Sequence, residues 1–444
     1  MTEQAALDRI SALPRFRGGI RTFAPLRALL AALGEPQRAL RFVHVAGTNG
    51  KGSVCTMTAS ALCEAGYRVG LYTSPYINIF RERFQIDGKP IGIPSFLSAC
   101  RAVFSALAKL EAAAELSQFD VVTAIGLLIF AEAGCDIVVL ECGLGGRLDA
   151  TNVIDAPLVA AITNIGYDHT DVLGKSIEEI TAEKCGILKS GTSAAVLAPQ
   201  DYPAAIEIFE SHAFSKGIAT RTAHLSDISL LRVGFGSLVF TYRGKQYRTR
   251  LAAPYQAKNA ATALEILFAL RDAGLKIDDG AIERGLVHAF IPARLELCSL
   301  SPNVLLDGAH NPDGMRSLQN TMEILSNQYE RLFCLLGVLE DKNPSETLEA
   351  FFDSPLLRSR LGGILTLTPP TPRAATAEAL AAILTKMLPG VPVAPAPNAR
   401  EAIVTLLSQM GKQDVLLAFG SLYTMGELRR ILSGLEKELS TNAN

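Results

Sequence analysis

The alternation of short apolar segments with helical patterns constrains the fold of this chain more than any other feature of its sequence. Strands that are separated by helices pair in parallel, with the helices packed on the faces of the sheet. Four such segments lie in the first half of the chain and four in its last third. The predicted strands are RFVHVA (41–46), RVGLYT (68–73), DIVVLE (136–141), LVAAIT (158–163), NVLLD (303–307), RLFCLLGV (331–338), GGILTLT (362–368) and DVLLAFG (414–420).

The composition excludes several classes of protein. The chain has 444 residues, of which 42 are basic and 44 acidic, and its formal net charge is -2. No basic field is available for a nucleic-acid partner, and the apolar stretches are too short or too interrupted to cross a membrane. The first ten residues, MTEQAALDRI, contain no apolar signal core, so we predict a cytoplasmic protein. The eight cysteines include no C-x-x-C pair, which favours buried free thiols.

The segment HVAGTNGKGS (44–53) follows the first predicted strand and opens a predicted helix. Backbone N–H groups of such a loop cradle phosphate groups, and its lysine supplies the counter-charge. A G-x-x-x-x-G-K-[ST] loop places a hydroxyl that holds Mg²⁺ directly after the lysine. In this chain Gly52 takes that place and Ser53 comes one position late, which leaves the metal ligand open. An ordinary glycine-rich turn is the alternative. The predicted phosphate-binding residues are Gly47, Thr48, Asn49, Gly50, Lys51, Gly52 and Ser53.

The chain divides near the segment HAFIPARLE, where Pro292 interrupts a helical pattern. We predict a first domain over residues 1–291 and a second over 292–444, with a cleft between them. The segment 228–251 alternates and has glycine-rich turns, which predicts antiparallel hairpins attached to the main sheet. The predicted fold class is therefore α/β. A P-loop parallel-sheet ATPase domain with a small antiparallel β appendage is followed by a smaller doubly wound, Rossmann-like domain.

Two more residues lie where α/β proteins bind their ligands, and a third residue to note is a lysine on a predicted helix. Glu141 ends an apolar strand and precedes the glycine-rich loop GLGGRLD, in the position of a Mg²⁺-holding acid. His169 follows the end of the next strand, and Lys184 lies on a predicted helix. A solvated strand-end carboxylate, a structural histidine and a solvent-facing lysine are the alternatives.

These segments, in this order, resemble the folylpolyglutamate synthase and dihydrofolate synthase branch of the Mur ligase family. The resemblance covers nearly the whole chain. Its motifs are HVAGTNGKGSV (44–54), TSPYINIFRERFQIDG (73–88), ECGLGGRLDATN (141–152), DHTDVLG (168–174), AEKCGILK (182–189), YQAKNAATAL (255–264), PARLE (292–296), DGAHNPDG (307–314), LGVLEDKNP (336–344) and FGSLYTMGE (419–427).

The resemblance implies a role for residues outside the phosphate loop. It implies that Ser74, Glu141 and His169 are the protein ligands of Mg²⁺, so the metal hydroxyl comes from the loop after the second strand. It implies that Lys184 carries a carbamate and that His310 orients the amino-acid substrate. The implied further ATP-binding residues are Asn259, Arg294 and Asp307, which would make ATP bridge the two domains. The implied pterin-binding residues are Phe119, Asp120, Thr123, Leu148, Asp149 and Ala150.

Three positions depart from the family pattern. Tyr76 stands where the folate enzymes usually have His, Asp120 where they have Glu, and Ala293 where they have Gly. The first two lie in the segments that the resemblance links to the pterin, so they affect the expected folate specificity more than the expected ATP chemistry.

The implied reaction is ATP-dependent amide formation between a folate or dihydropteroate carboxylate and L-glutamate, through an acyl phosphate. A cell-wall Mur ligase with the same chemistry and a nucleotide-binding module without turnover are the alternatives. GKGS and TSPYINIFRERFQIDG argue against the first, and the retained acid, histidine and lysine argue against the second. Whether glutamate is added to dihydropteroate, to tetrahydrofolate or to both is left open. The family leads us to expect a monomer.

Overall fold

The computed structural model of the chain describes residues 1–15, 22–298 and 301–442. Its helices are α1 (Glu3–Ser11), α2 (Ala24–Ala32), α3 (Lys51–Glu64), α4 (Ile93–Leu107), α5 (Gln118–Glu132), α6 (Thr170–Leu173), α7 (Ile177–Cys185), α8 (Pro203–Ser215), α9 (Gln256–Asp272), α10 (Asp279–His288), α11 (Pro312–Ile324), α12 (Pro344–Phe352), α13 (Pro355–Arg358), α14 (Ala377–Met387), α15 (Ala399–Gln409) and α16 (Leu422–Asn442). Its strands are β1 (Phe42–Ala46), β2 (Val69–Tyr72), β3 (Phe84–Ile86), β4 (Lys89–Pro90), β5 (Ile137–Glu141), β6 (Val159–Ile162), β7 (Ala194–Leu197), β8 (Ala219–Thr222), β9 (Ile228–Gly234), β10 (Ser237–Tyr242), β11 (Lys245–Thr249), β12 (Glu296–Cys298), β13 (Asn303–Leu306), β14 (Leu332–Leu336), β15 (Leu361–Thr366), β16 (Val393–Pro395) and β17 (Val415–Phe419).

These elements form two compact units. The first contains Met1–Ser229, Thr241–Arg248 and Gln256–Ala289, and the second contains Leu230–Phe240, Thr249–Tyr255 and Phe290–Asn444. Within the described ranges, no helix is both long and apolar enough to cross a membrane.

The first unit is built on a sheet whose described strands number eight, in the order β4-β3-β2-β5-β1-β6-β7-β8. The run from β2 to β8 is parallel, and β3 and β4 add an antiparallel edge. Because the chain goes from β1 outward to β2, and later crosses from β5 over β1 to β6, the strand order reverses around β1. Ligands of open α/β sheets bind at the carboxyl ends of the strands at such a point.

Strand β1 lies inside this sheet, between β5 and β6, and every one of its residues is buried. Two apolar clusters cover one face of the sheet, one formed largely by α1, α2, α4 and α5 and the other largely by α7 and α8. Helix α3 packs against α9 and α10. The carboxyl end of β1 and the start of α3, which together carry the glycine-rich loop, are therefore held by packing on several sides.

The segment 228–251 differs from the prediction in one respect. It forms the predicted hairpins, because β9, β10 and β11 are joined by two-residue turns that only antiparallel strands allow. The prediction that these strands are attached to the main sheet is wrong, since they form a separate sheet in the order β11-β10-β9. Residues Thr241–Arg248 of this sheet belong to the first unit. Tyr242 donates a hydrogen bond of 2.6 Å to the buried carboxylate of Glu265, which also pairs with Arg243.

The second unit has a sheet of its own, with six described strands in the order β12-β13-β17-β14-β15-β16. Strand β12 is antiparallel to β13 and the others are parallel. Helices α11, α12 and α14 cover an apolar cluster on this sheet. The predicted fold class is confirmed, with a parallel sheet in each of two α/β units.

Candidate active site

The glycine-rich loop has the geometry of a phosphate-binding loop. It leaves β1 at Gly47, and α3 begins at Lys51, so the helix N-terminus faces the loop. The Lys51 ammonium donates to the carbonyl groups of Gly47 and Thr48, at 3.0 Å each. Asn259, at the start of α9, lies beside the loop, because a Cβ on Gly50 would come within 2.3 Å of its Oδ1 atom. The structure thus brings Asn259 to the loop as expected.

Gly52 faces a buried carboxylate. A Cβ on Gly52 would lie 3.6 Å from Oε1 of Glu141, and Glu141 is only 4% exposed at the end of β5. The other carboxylate oxygen, Oε2, accepts a hydrogen bond of 2.9 Å from the backbone N–H of Ser74, in the loop after β2. Two of the three expected metal ligands, Ser74 and Glu141, are therefore adjacent, and they meet at the phosphate loop.

His169 has different neighbours. Its Nε2 atom lies 3.6 Å from the Asp168 carboxylate, and its side chain is 57% exposed. The segment that carries it is tied to the phosphate loop at Thr48, whose hydroxyl donates to the Gly166 carbonyl and accepts from the Gly166 N–H, each at 3.1 Å. Among the described residues, no group of three or more His, Cys, Asp or Glu side chains is arranged to hold a metal ion. The role of His169 as a ligand stays a prediction.

Lys184, near the end of α7, is buried with 2% of its surface exposed, so it is not the solvent-facing lysine of the alternative interpretation. Its ammonium donates a hydrogen bond of 2.9 Å to the Gly47 carbonyl, which also accepts from Lys51. Burial, and secondarily the charge of Lys51, lowers the pKa of Lys184 to about 8. A fraction of this lysine is therefore a neutral amine near neutral pH.

The residues expected to bind a pterin lie on two elements. Phe119, Asp120 and Thr123 are on α5, and Leu148, Asp149 and Ala150 lie in the loop after β5. The ring of Phe119 covers Gly143 of that loop, since a Cβ on Gly143 would come within 2.5 Å of it. The Thr123 hydroxyl is buried and lies 3.2 Å from the Tyr72 hydroxyl. The two elements thus meet, although contact with a substrate stays a prediction for all six residues.

Asp120 has a clear structural role at the start of α5. Its carboxylate accepts from the backbone N–H and the hydroxyl of Ser117, at 2.7 and 2.5 Å, and Ser117 in turn caps the helix. This reciprocal arrangement is a capping box. Tyr76, the other departure on this side, is 42% exposed and packs edge-on against Phe80.

Asp149 organises the loop that follows β5. One carboxylate oxygen accepts from the Leu144 N–H at 2.8 Å, and the other accepts from the N–H and hydroxyl of Thr151 at 3.0 and 2.5 Å. Asp149 is buried, and desolvation raises the pKa of its carboxyl group. Leu148 is half-buried and Ala150 is buried beside it. We name residues 143–150 the acceptor loop, after the substrate that the resemblance implies for them.

In the second unit the motifs DGAHN and PARLE meet. The buried carboxylate of Asp307 accepts from the N–H groups of Leu295 and Ala309, each at 2.8 Å, and the Gly308 N–H donates to the Ala293 carbonyl. Desolvation raises the pKa of Asp307, whereas the Arg294 charge acts in the opposite direction. His310 Nδ1 lies 2.7 Å from the Gly308 carbonyl. The ATP and glutamate roles of Asp307, Arg294 and His310 stay predictions.

Ala293 has a left-handed backbone conformation, with φ of 53°. Glycine adopts this conformation without the steric penalty of a Cβ atom. The glycine that the family pattern has at this position would suit the observed backbone, whereas the alanine of this chain adopts it with the steric strain of a Cβ atom.

One polar cluster was missed by the sequence analysis. His44 on β1 is fully buried, and its Nε2 atom lies 2.8 Å from the Thr151 hydroxyl and 3.1 Å from the Cys142 sulfur. Burial lowers its pKa to about 3. The signal available in the sequence was a histidine in the middle of an otherwise apolar central strand.

Comparison with known proteins assigns the chain to a family. The model of the Mur ligase middle domain matches residues 45–267, and that of the Mur ligase glutamate ligase domain matches residues 293–422. The chain belongs to the Mur ligase family.

Within this family the chain is similar to dihydrofolate and folylpolyglutamate synthases, as the motifs indicated. It is 34% identical to the dihydrofolate synthase/folylpolyglutamate synthase of Bacillus subtilis over 92% of this chain and 94% of that protein. The corresponding Escherichia coli protein is 33% identical over 90% of this chain and 89% of its own length. The crystal structure of a Thermotoga maritima folylpolyglutamate synthase superposes with a TM-score of 0.83 at 29% identity, covering 97% of this chain and 96% of that one. The predicted family is confirmed.

Proposed function

We propose that this protein is an ATP-dependent ligase that joins L-glutamate to the carboxylate of a folate through an acyl phosphate. One observation carries the proposal. Lys51, Lys184 and Glu141 converge on the phosphate loop at the carboxyl end of β1, in a chain that matches folate-glutamate ligases over nearly its whole length. Relatives of known structure have been solved with ADP and with AMPPCP, which supports ATP as the nucleotide.

The first chemical step brings a carboxylate against the ATP phosphates. At an effective dielectric constant of about 20, each pair of like charges about 4 Å apart repels by roughly 4 kcal/mol. Lys51 supplies a compensating positive charge, because its ammonium lies at the phosphate loop, where it donates to the carbonyl groups of Gly47 and Thr48. Phosphate transfer to the carboxylate gives an acyl phosphate, and the glutamate amine then displaces phosphate from the acyl carbon.

The residues around Gly52 fit a Mg²⁺ ion. Mg²⁺ prefers oxygen ligands, and the buried carboxylate of Glu141 lies next to Ser74 at a position where the loop has no side chain of its own. Glu141 and the Ser74 hydroxyl would hold the ion, with His169 as the third proposed protein ligand. When bound, Mg²⁺ supplies charge neutralisation for the transferred phosphoryl group.

The environment of Lys184 favours a carbamate. Reaction with CO₂ requires a neutral amine, and burial lowers the pKa of Lys184 to about 8. A carbamate would also replace one of the two positive charges beside the Gly47 carbonyl by a negative charge whose oxygen atoms can bind a metal ion.

We expect Lys184→Ala and Lys184→Arg both to lose turnover, because neither forms a carbamate. Acetate or formate should partly restore the Ala variant and not the Arg variant, measured as ADP release; an active Lys184→Arg enzyme would contradict the carbamate.

The decisive assay uses purified protein, ATP and L-glutamate, with tetrahydrofolate and dihydropteroate compared as acceptors. Phosphate release that requires both an acceptor and glutamate is expected, and the better acceptor decides between chain extension and first addition. Turnover only with cell-wall precursors, or nucleotide binding without turnover, would each contradict the proposal.

Lys51→Ala provides the matching test of the site. It should abolish turnover and change the free energy of unfolding by less than about 1 kcal/mol, because Lys51 is a half-buried residue at the first position of α3 and not part of the apolar core. Lys258→Ala is the control, since Lys258 is a half-exposed lysine whose ion pair with Asp201 spans 4.0 Å. Normal turnover in Lys51→Ala would contradict the phosphate role.

We further propose that the protein acts as a monomer in the cytoplasm, with no nucleic-acid or membrane partner. Light scattering of the purified protein over a range of concentrations tests the first point, and a mass twice that of the chain would contradict it.

A further inference from the structure

A buried polar chain links the strand that leads into the phosphate loop with the acceptor loop. His44 lies on β1, three residues before Gly47, and its Nε2 atom is 2.8 Å from the hydroxyl of Thr151. The same hydroxyl is 2.5 Å from the carboxylate of Asp149. His44, Asp149 and Thr151 are each less than a tenth exposed. Buried hydrogen bonds of this kind fix the relative position of the elements that they join.

The hydrogen bonds that run from His44 through Thr151 to Asp149 have a definite direction. Both oxygens of the Asp149 carboxylate act as acceptors, one from the N–H group of Leu144 and the other from that of Thr151. The single hydroxyl proton of Thr151 is then donated to Asp149, and its oxygen accepts from His44. His44 therefore carries its proton on Nε2. The remaining nitrogen, Nδ1, is buried without a hydrogen-bond partner among the described residues, in keeping with a neutral ring.

We infer that His44 is a positioning residue for the folate acceptor: through Thr151 it orients Asp149 and holds the acceptor loop in register with the phosphate loop. The inference rests on the proposed function, because it assigns the substrate end of that same site. His44 does not touch the reacting atoms. Its effect is to keep the carboxylate of an acceptor whose pterin is held by the loop aligned with the phosphate-binding end of β1.

Paired variants test this inference in steady-state assays. Thr151→Val keeps the shape of the side chain and removes the hydroxyl contacts with His44, Asp149 and Cys142, and His44→Leu removes the donor. Each should raise the KM for tetrahydrofolate about tenfold, as expected for one buried hydrogen bond to a charged network, and leave the KM for ATP within about twofold. Thr151→Ser and His44→Gln keep the hydrogen-bonding groups and should restore most of the acceptor affinity.

Two controls separate positioning from general loss of structure. Thr58→Val makes the same change in α3, at a fully buried threonine whose hydroxyl has no partner among the described residues, and should leave both KM values unchanged. The double variant His44→Leu/Thr151→Val should be no worse than either single variant, because both break one chain of hydrogen bonds.

The outcomes are distinguishable. Absence of turnover by the wild type would overturn the proposed function and the inference together. An active wild type with an unchanged acceptor KM in Thr151→Val would overturn the inference alone. A parallel rise in the KM values for ATP and acceptor, with additive effects in the double variant, would also overturn it, because that result marks a structural residue.

Discussion

Lys51 and Lys184 donate to the same carbonyl oxygen, that of Gly47, although their charges repel each other. The two lysines differ in burial: Lys51 is half-buried, whereas Lys184 is buried, and its burial lowers the pKa of Lys184 to about 8. Sequence analysis selected Lys184 only through the family motif, because a lysine on a helix usually faces solvent. Its burial depends on the packing of α7 against the loop after β5, which no local pattern reveals.

Single substitutions can test which serine hydroxyl binds Mg²⁺. Ser74→Ala should raise the Mg²⁺ concentration needed for half-maximal turnover several-fold, because it removes the hydroxyl of a residue whose backbone N–H donates to Glu141. Ser53→Ala should instead weaken ATP binding, since Ser53 is a buried residue in the first turn of α3. Mg²⁺ titrations of turnover at saturating ATP measure the first effect. Superimposable titrations for wild type and Ser74→Ala would exclude Ser74 as a ligand.

At the scale of elements, the N-terminus of α5 combines a cap with a predicted substrate residue. Asp120→Ala should lower the free energy of unfolding by about 0.5–2 kcal/mol, because the Ser117 N–H and hydroxyl lose their acceptor. Asp120→Glu should keep the stability, since Glu also completes a capping box. Urea unfolding measures the stability.

The acceptor KM of Asp120→Glu then tests the substrate role separately. A changed KM for tetrahydrofolate at unchanged stability would support contact with the pterin, and an unchanged KM would leave Asp120 with the helix cap alone. A stability loss in the Glu variant equal to that of the Ala variant would contradict the capping role.

The elements that could be predicted are those with strong local patterns. The strands β1, β5, β14 and β17 are apolar runs in which every residue is buried, and each was predicted to within about one or two residues. Strand β7 was missed because AAVL is short and rich in alanine, and β8 because ATRT is polar and lies at the edge of the sheet. The hairpin sheet was predicted in its turns but not in its independence, which depends on tertiary contacts.

For the whole molecule, His44 makes stability depend on pH. Burial lowers its pKa to about 3 in the folded protein, against about 6.5 in an unfolded chain. Because the unfolded chain binds the proton more readily, this contribution to stability is lost as the pH falls below about 6.5, and the loss continues to about pH 3. By pH 5 it should reach about 2 kcal/mol.

The measurement compares urea unfolding of the wild type and of His44→Gln at pH 7 and pH 5. The free energy of unfolding of the wild type should fall by about 2 kcal/mol more than that of the variant. Asp149, with its raised pKa, acts in the opposite direction, but it is present in both proteins. His224→Gln, at an exposed histidine, is the control and should behave as wild type. Equal pH dependence in wild type and His44→Gln would contradict the prediction.

The contact between the acceptor loop and α7 has a consequence for how this protein can change over generations. A Cβ on Gly146 would come within 2.6 Å of the Lys184 carbonyl oxygen, and one on Gly186, just after α7, within 2.4 Å of the Arg147 side chain. A larger residue at either glycine must displace the loop, the helix end or both, and with them Asp149 and Lys184. A substitution at either glycine is therefore expected to disturb the acceptor loop and the surroundings of Lys184 together, so the two sides of the site cannot be altered independently at this contact.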